Sequence, residues 1–127
     1  MDDILSGFKP VNVAKGPVTM TIAYSGVSFS KAAVQTLGNP GYVVLLLNED
    51  EKKVALQVSK SDEPNAIAFY KATRQTGDVR WNYSSLKNSL SDLMRWNIQD
   101  HTYRVEGHYY THGNILMFDL AEASQLR

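Results

Sequence analysis

The chain has 127 residues, of which 43% are hydrophobic and 20% charged, a balance typical of one globular domain rather than of a disordered chain. Lys and Arg number 13 and Asp and Glu number 13, so the formal net charge of zero predicts no global attraction to nucleic acid or to an anionic membrane. The absence of cysteine excludes disulfides, thiolate metal sites and a cysteine nucleophile.

Residues 1–17 form a lead-in that Gly7, Pro10, Gly16 and Pro17 interrupt. It has neither the basic region nor the apolar region of a secretory signal. The longest apolar run is "YVVLLL", Tyr42 to Leu47, which is far shorter than a membrane span. These features lead us to expect a soluble, cytoplasmic protein without a membrane partner.

Residues 18–59 form the first predicted unit. "VTMTIAY" alternates as a strand does, Ser25-Gly26 is typical of a turn, and "VSF" is a short extended piece. Ser30 is predicted to cap a helix over residues 31–37, because its hydroxyl can accept from a first-turn amide. Leu37 lies on the apolar face of that helix, and Gly38 is placed to end it.

A hairpin completes this unit. "YVVLLL" and "VALQV" are the predicted strands, and the charged "NEDEKK" between them is the predicted turn. The second strand alternates between apolar and other residues, whereas the first is apolar throughout. Continuous apolarity is typical of a central strand, so we expect both faces of Tyr42 to Leu47 to be covered.

Residues 66–120 form the second predicted unit, after the polar boundary "KSDEPN". "AIAFYKA" is a strand candidate, "TRQTGD" a turn, and Asn82 after "VRW" a candidate helix cap. A helical apolar stripe follows at Leu86, Leu90, Leu93 and Met94, and "NIQDH" ends the helix. "YRVEGHYY" and "ILMFDL" then form a hairpin around "THGN".

The two units have the same order of elements. Val27-Ser28-Phe29-Ser30 matches Val79-Arg80-Trp81-Asn82, with a bulky aromatic residue before each candidate cap, and Tyr42 and Tyr103 each open a hairpin. A single β-α-β-β unit cannot bury its own faces. We therefore predict one compact α+β domain in which two β-α-β-β repeats form a mainly antiparallel, barrel-like sheet with two short helices; chance similarity of short elements is the alternative.

The stretch Gly26 to Val58, with Gly26, Val27, Phe29, Lys31, Leu37-Gly38 and the hairpin, resembles the AbrB/MazE-type swapped-hairpin domains. The resemblance implies an intertwined barrel and DNA binding, as in transcription factors or antitoxins. This sequence departs from the family pattern at two points. The family arginine after the glycine is absent, because Val27 follows Gly26 and Asp78 follows Gly77, and Ser30 and Asn82 replace the proline before the helix.

Basic residues gather around the two turn-and-cap segments, and Lys71 is near them in sequence. If the two units pair, the candidates for contacting double-stranded DNA are Lys31, Arg74, Arg80 and Lys87. Trp81 and Tyr83 could stack on a base beside Arg80. The alternatives are a solvated charged surface balanced by acids such as Asp78, and aromatic residues that pack into the core.

The second hypothesis is a protein-interaction or oligomerisation module without nucleic-acid binding. Its candidate contacts are Tyr109 and Tyr110 on the second hairpin, or the "YVVLLL" surface, with a second copy or another protein as the partner.

No pattern in the sequence fixes a reaction, so we expect no enzyme, no catalytic residue, no metal and no cofactor. His101, His108 and His112 match no metal-ligand spacing and are expected to be solvent-exposed. Asp119 has no partner carboxylate for acid-base catalysis, and we expect it to bind a nearby backbone amide or Arg127. The sequence also has no nucleophile elbow, P-loop or dinucleotide fingerprint.

Overall fold

The computed structural model describes residues 16–73 and 76–126, so most of the lead-in lies outside the described residues. Within these residues, two helices interrupt a series of nine strands, an α+β arrangement. The elements are β1 (Thr19–Ala23), β2 (Gly26–Phe29), α1 (Lys31–Thr36), β3 (Tyr42–Asn48), β4 (Lys53–Val58), β5 (Ile67–Ala68), β6 (Val79–Trp81), α2 (Ser84–Met94), β7 (Tyr103–Tyr110), β8 (Ile115–Asp119) and β9 (Ser124–Gln125).

The nine strands of the described residues form one curled, antiparallel sheet with the shape of a half-barrel. Eight of them follow the order β5-β3-β4-β8-β7-β1-β2-β6, and the short β9 pairs with β7. Every pairing is antiparallel, and the two hairpins meet where β4 pairs with β8. The predicted α+β class with a barrel-like antiparallel sheet and two helices is therefore confirmed.

Strand β7 belongs to both halves of this sheet. Its first part, Tyr103 to Glu106, pairs with β1, and its second part, from Gly107, pairs with β8. The change of partner occurs at Gly107, where an added Cβ would lie 2.8 Å from the ring of Phe118. Glycine therefore lets a core ring cross the backbone at the point where the sheet turns.

The concave side of the sheet holds the core. Phe29 lies at its centre, with the rings of Trp81, Phe69 and Phe118 at centroid distances of 5.0, 5.5 and 5.9 Å. The indole Nε1 of Trp81 donates to the carbonyl of Ala68 across 3.2 Å, which links the two end strands β5 and β6. An aromatic side chain thus spans the gap that the backbone leaves open in the half-barrel.

Helix α1 begins at Lys31 as predicted and ends at Thr36, one residue before the predicted end, with Leu37 as its C-cap. The Ser30 hydroxyl accepts from the Ala33 amide at 3.2 Å, and it also accepts from Thr19 and donates to the carbonyl of Pro17. Gly38 follows the helix with a φ of 88°, a conformation that glycine adopts without strain. Leu37 is buried, as its place on the apolar face requires.

Helix α2 begins one residue later than predicted, so the assignment of Asn82 as its cap is wrong. Tyr83 occupies the N-cap position without a side-chain hydrogen bond, and Arg95 occupies the C-cap position with a left-handed φ of 57°. The core-facing stripe is confirmed, with Leu90 buried and Leu86, Leu93 and Met94 half-buried against the core.

The prediction that β3 is covered on both faces is also wrong. β3 lies between β4 and the two-residue strand β5, near one end of the sheet. Val43 is buried, whereas Leu46 and Leu47 are 45% and 38% exposed. β4 takes the central place instead, between β3 and β8, although its sequence alternates. The outer face of the apolar run, which carries Leu46, is therefore accessible to solvent, and Leu47 on the other face is exposed near the end of the strand.

Candidate nucleic-acid interface

Strand β6 carries Arg80 on the outside of the half-barrel. Val79 and Trp81 are buried, and alternation places Arg80 between them on the opposite face, with a side chain that is 67% exposed. β6 pairs with β2 on one side and is the last strand of the sheet order. The guanidinium therefore lies at a sheet edge, where a ligand can reach it.

Lys31 and Lys87 approach opposite ends of β6. The aliphatic part of Lys31 lies against Gly77, because an added Cβ there would be 3.1 Å from its Cγ. Lys87 extends from α2 to the turn between β1 and β2, where its Nζ donates to the carbonyl of Tyr24 and lies 4.3 Å from the centre of the Tyr24 ring. We call Lys31, Arg80 and Lys87 the basic stripe.

The acidic neighbour of the stripe is Asp78. Its Oδ2 is 3.3 Å from Nε of Arg80, and its Oδ1 accepts from the hydroxyl of Thr76. A guanidinium has five N–H donors, so one contact through Nε does not exhaust the capacity of Arg80. The predicted balance of basic residues by Asp78 is confirmed at this position, and it lowers the local positive charge.

The remaining residues of the predicted site separate into three cases. Arg74 lies outside the described residues. Lys71 lines a groove of about 310 Å³ together with Arg80, Asn82 and Tyr83. Trp81 is only 5% exposed and packs in the core, which confirms that alternative for Trp81, whereas Tyr83 and Tyr24 are 47% and 61% exposed. Exposed aromatic rings thus flank the stripe at its Lys87 end.

A row of polar side chains crosses the outer surface of the sheet beside the stripe. The strand register pairs Arg104 with Thr21, Thr21 with Ser28, and Ser28 with Arg80. We call Arg104, Thr21, Ser28 and Arg80 the polar row. A second groove, of about 250 Å³, contains Thr21, Ser28 and Arg80. Two hydroxyl groups therefore lie between two arginines on neighbouring strands.

Sequence reasoning did not identify Thr21, Ser28 or Arg104 as site residues. Each lies at an outward-facing position of a strand that alternates between buried and more accessible residues. Alternation alone could therefore have marked these residues as surface residues. What brings them together is the pairing of β1 with β7, between residues that are distant along the chain.

The residues of the second hypothesis point to opposite faces of β7. The Tyr109 hydroxyl contacts Oδ1 of Asn114 at 2.5 Å and closes the second hairpin. Tyr110 lies on the outer face and is 52% exposed. Leu46 of the "YVVLLL" run shares that outer face. Of the two tyrosines, Tyr110 is therefore the one on the same outer face as Leu46, with β4 and β8 between them.

The other polar candidates make ordinary surface contacts. Nε2 of His108 lies 3.6 Å from Oε1 of Glu122, and His108 is exposed. Asp119 Oδ1 accepts from the Ala121 amide at 3.1 Å, which confirms the predicted backbone contact. Among residues 16–73 and 76–126, no group of three His, Asp or Glu side chains could hold a metal ion.

No protein-family model, curated protein or solved structure matches this chain. Within the described part of the chain, neither helix has the length and apolarity that crossing a membrane requires.

Proposed function

We propose that the protein is a non-enzymatic regulatory module that binds double-stranded DNA through the basic stripe, as AbrB-type transcription factors or antitoxins do. The observation that supports this function best is the alignment of the three cations along one strand. Lys31 lies near Gly77 at one end of β6, Arg80 projects from its middle, and Lys87 lies at the turn by the other end.

The length of the stripe suits a nucleic-acid backbone. Gly77 and Asn82 are five positions apart along the chain, and an extended chain rises about 3.3 Å per residue, which gives roughly 16 Å. One DNA strand presents a phosphate about every 3.4 Å of helix axis, so the stripe spans roughly five phosphates. The hydroxyls of Thr21 and Ser28 add donors beside Arg80, and such contacts position a protein on the backbone.

We further propose that the chain contains two copies of the predicted repeat, each with two strands before its helix and a hairpin after it. Exchanging residues 18–59 with residues 66–120 converts the pairing of β1 with β7 into that of β5 with β3. The same exchange turns the pairing of β4 with β8 into that of β8 with β4, and the pairing of β2 with β6 into that of β6 with β2. Both pairings are therefore retained. This interleaving supports a swapped-hairpin arrangement. A superposition of the two ranges that left their strands unmatched would contradict it.

The salt dependence of binding to a random-sequence duplex tests the DNA function. We expect measurable affinity at low salt that falls steeply as salt rises, because bound phosphates release counterions. Lys31→Ala should reduce the slope of log K against log salt by about one, and Arg80→Ala should lower the affinity further. Lys52→Ala is the matched control, because Lys52 lies in the distant turn between β3 and β4.

A gain of affinity provides a complementary test. Asp78→Asn keeps the size of the side chain and removes the charge that faces Arg80. We expect this variant to bind the duplex about 3- to 10-fold more tightly at low salt, since like charges of DNA and Asp78 repel. Absence of binding by the wild type and by Asp78→Asn at low salt would refute the DNA function.

A further inference from the structure

The outer face of the hairpin half of the sheet is apolar, and it lies apart from the basic stripe. Alternation directs Val43, Leu56 and Leu116 to the core, so their neighbours in sequence point outward. We call these outward residues the apolar face: Val44, Leu46, Ala55, Tyr110, Ile115 and Met117.

Cross-strand pairing arranges this face in rows. One row runs Leu46, Ala55, Met117 and His108 across β3, β4, β8 and β7. The next runs Val44, Gln57, Ile115 and Tyr110 across the same strands. Leu46 and Tyr110, at the two margins of the apolar face, are 45% and 52% exposed. A contiguous apolar surface of this kind marks an interaction site more often than scattered single residues do.

The helices of the fold pack elsewhere. α1 contacts β1 and α2 contacts β2, both on the other half of the sheet. A sheet with one exposed apolar face is commonly covered by a second sheet at about 10 Å, with the strand directions about 30° apart. The geometry of the face therefore suits another sheet as its cover.

Charge complementarity indicates which sheet fits. Beside the apolar rows, β4 carries Lys53 directly opposite Asp119 of β8. Within one chain, Nζ of Lys53 lies 3.5 Å from Oε1 of Glu51, an exposed contact that leaves ammonium donors for a second carboxylate. Consider a second copy whose apolar face is turned towards that of the first. The two copies are related by a two-fold axis that lies midway between the two faces, parallel to the strands and between β4 and β8. Such an axis places β4 of one copy over β8 of the other, so each Lys53 faces the other copy's Asp119. The same operation places Ala55 over Met117 and Val44 over Tyr110, so apolar side chains meet at these positions. It also places Leu46 over His108 and Gln57 over Ile115, where one partner of each contact is polar.

We propose that the apolar face is the contact surface of a two-fold homodimer, in which Lys53 of each copy pairs with Asp119 of the other. Two charge pairs form at the edge of the contact, and the apolar side chains form its centre. Pairing of this kind is self-complementary, as a two-fold contact between identical chains requires.

The size of the face sets the expected strength. Four strands spaced about 4.8 Å apart and three alternating positions on each give roughly 350 Å² per copy. Stable complexes bury about 800 Å² per partner, so we expect a weak dimer with a dissociation constant of roughly 100 μM. Sedimentation velocity of the full chain at increasing concentration measures this association directly.

Leu46→Asp tests the apolar centre. An aspartate at this exposed position leaves the core unchanged but must be desolvated in the dimer, so we expect no dimer up to about 1 mM. Leu126→Asp is the matched control, because Leu126 is 41% exposed and lies beyond β9, outside the apolar face. It should dimerise as the wild type does. A monomeric wild type at about 1 mM, or an unchanged Leu46→Asp dimer, would overturn the proposal.

Mixing two charge variants tests the specific pairing. A homodimer of Lys53→Glu has two facing acidic pairs, and a homodimer of Asp119→Lys has two facing basic pairs. The mixed dimer has two opposite-charge pairs, so we expect it to form about 5- to 10-fold more tightly than either homodimer.

Charges within one chain cannot produce this rescue. Positions 53 and 119 are also cross-strand neighbours inside each chain, and their intramolecular repulsion is the same in the mixture as in the separate variants. Thermal unfolding of each variant confirms that the monomers are folded. A mixture that associates no more tightly than its components, or assemblies larger than a dimer, would exclude the proposed two-fold contact.

Discussion

Residues 18–59 and residues 66–120 build similar elements in the same order by different local means. Each contains a strand, a short extended strand, a helix and a hairpin. In the first, the helix has six residues and a serine cap that also ties it to β1. In the second, the helix has 11 residues and no side-chain cap, and Leu90 anchors it in the core. Similar architecture therefore does not require equal dependence on caps and turns.

Core leucines should matter equally in the two segments. Leu37 and Leu90 are 3% and 1% exposed, so replacement by alanine leaves a cavity in either case. We expect Leu37→Ala and Leu90→Ala each to lower the free energy of unfolding by about 2–5 kcal/mol, measured by urea denaturation. Leu86→Ala is the control within α2, because Leu86 is only half-buried, and it should cost less. A loss below about 1 kcal/mol at Leu37 or Leu90 would show that the helix packs through another face.

Gly26, the first residue of β2, and Gly77, which precedes β6, should differ in their tolerance of a side chain. Gly26 has a φ of 140°, and a Cβ there would lie 2.3 Å from the backbone oxygen of Trp81. We expect Gly26→Ala to cost about 2–4 kcal/mol in urea denaturation, through backbone strain and a collision that no side chain can relieve. At Gly77 the close contact is the flexible Lys31 side chain, so Gly77→Ala should cost about 1–2 kcal/mol. Equal losses would contradict this distinction.

The capping positions give the smallest expected contrast. Ser30→Ala removes the acceptor for the Ala33 and Thr19 amides, and we expect a loss of about 1–2 kcal/mol in the same measurement. Asn82→Ala at the matching position should change the unfolding free energy by less than about 0.5 kcal/mol, since Asn82 precedes the N-cap. A large effect of Asn82→Ala would indicate a contact in solution that substitutes for the missing cap.

Local chemistry made much of the fold predictable from sequence. Ser30 and Gly38 delimit α1 as their side-chain and backbone preferences require, and the alternation in "VALQV" and "YRVEGHYY" identified β4 and β7. Asn82 was predicted to cap α2 because asparagine is a favoured N-cap residue, but the helix begins one residue later than that prediction. At the observed start of the helix, the ring of Tyr83 packs on that of Trp81, with centroids 5.7 Å apart. The continuous apolar run of β3 was predicted to be interior, because apolarity alone does not distinguish a strand face that packs in the core from one that is exposed.

The candidate site was less predictable, since it depends on which strands pair. The basic character of Lys31, Arg80 and Lys87 was evident in the sequence, but their alignment along β6 follows from the pairing of β6 with β2. Arg104 joins Thr21 through a contact between distant parts of the chain, and local patterns carry no information about such register.

The pairing of β7 with both β1 and β8 also bears on how the chain reaches its native state. β1, β2 and the first hairpin can form from early residues, but β7 must reach back to β1 across most of the sequence. Loop closure over such distances is entropically costly, so this topology favours slow folding. During synthesis, the edge of β4 stays unpaired until Ile115 to Asp119 have left the ribosome. The nascent first hairpin therefore passes through an interval in which a neighbouring chain can compete for its edge.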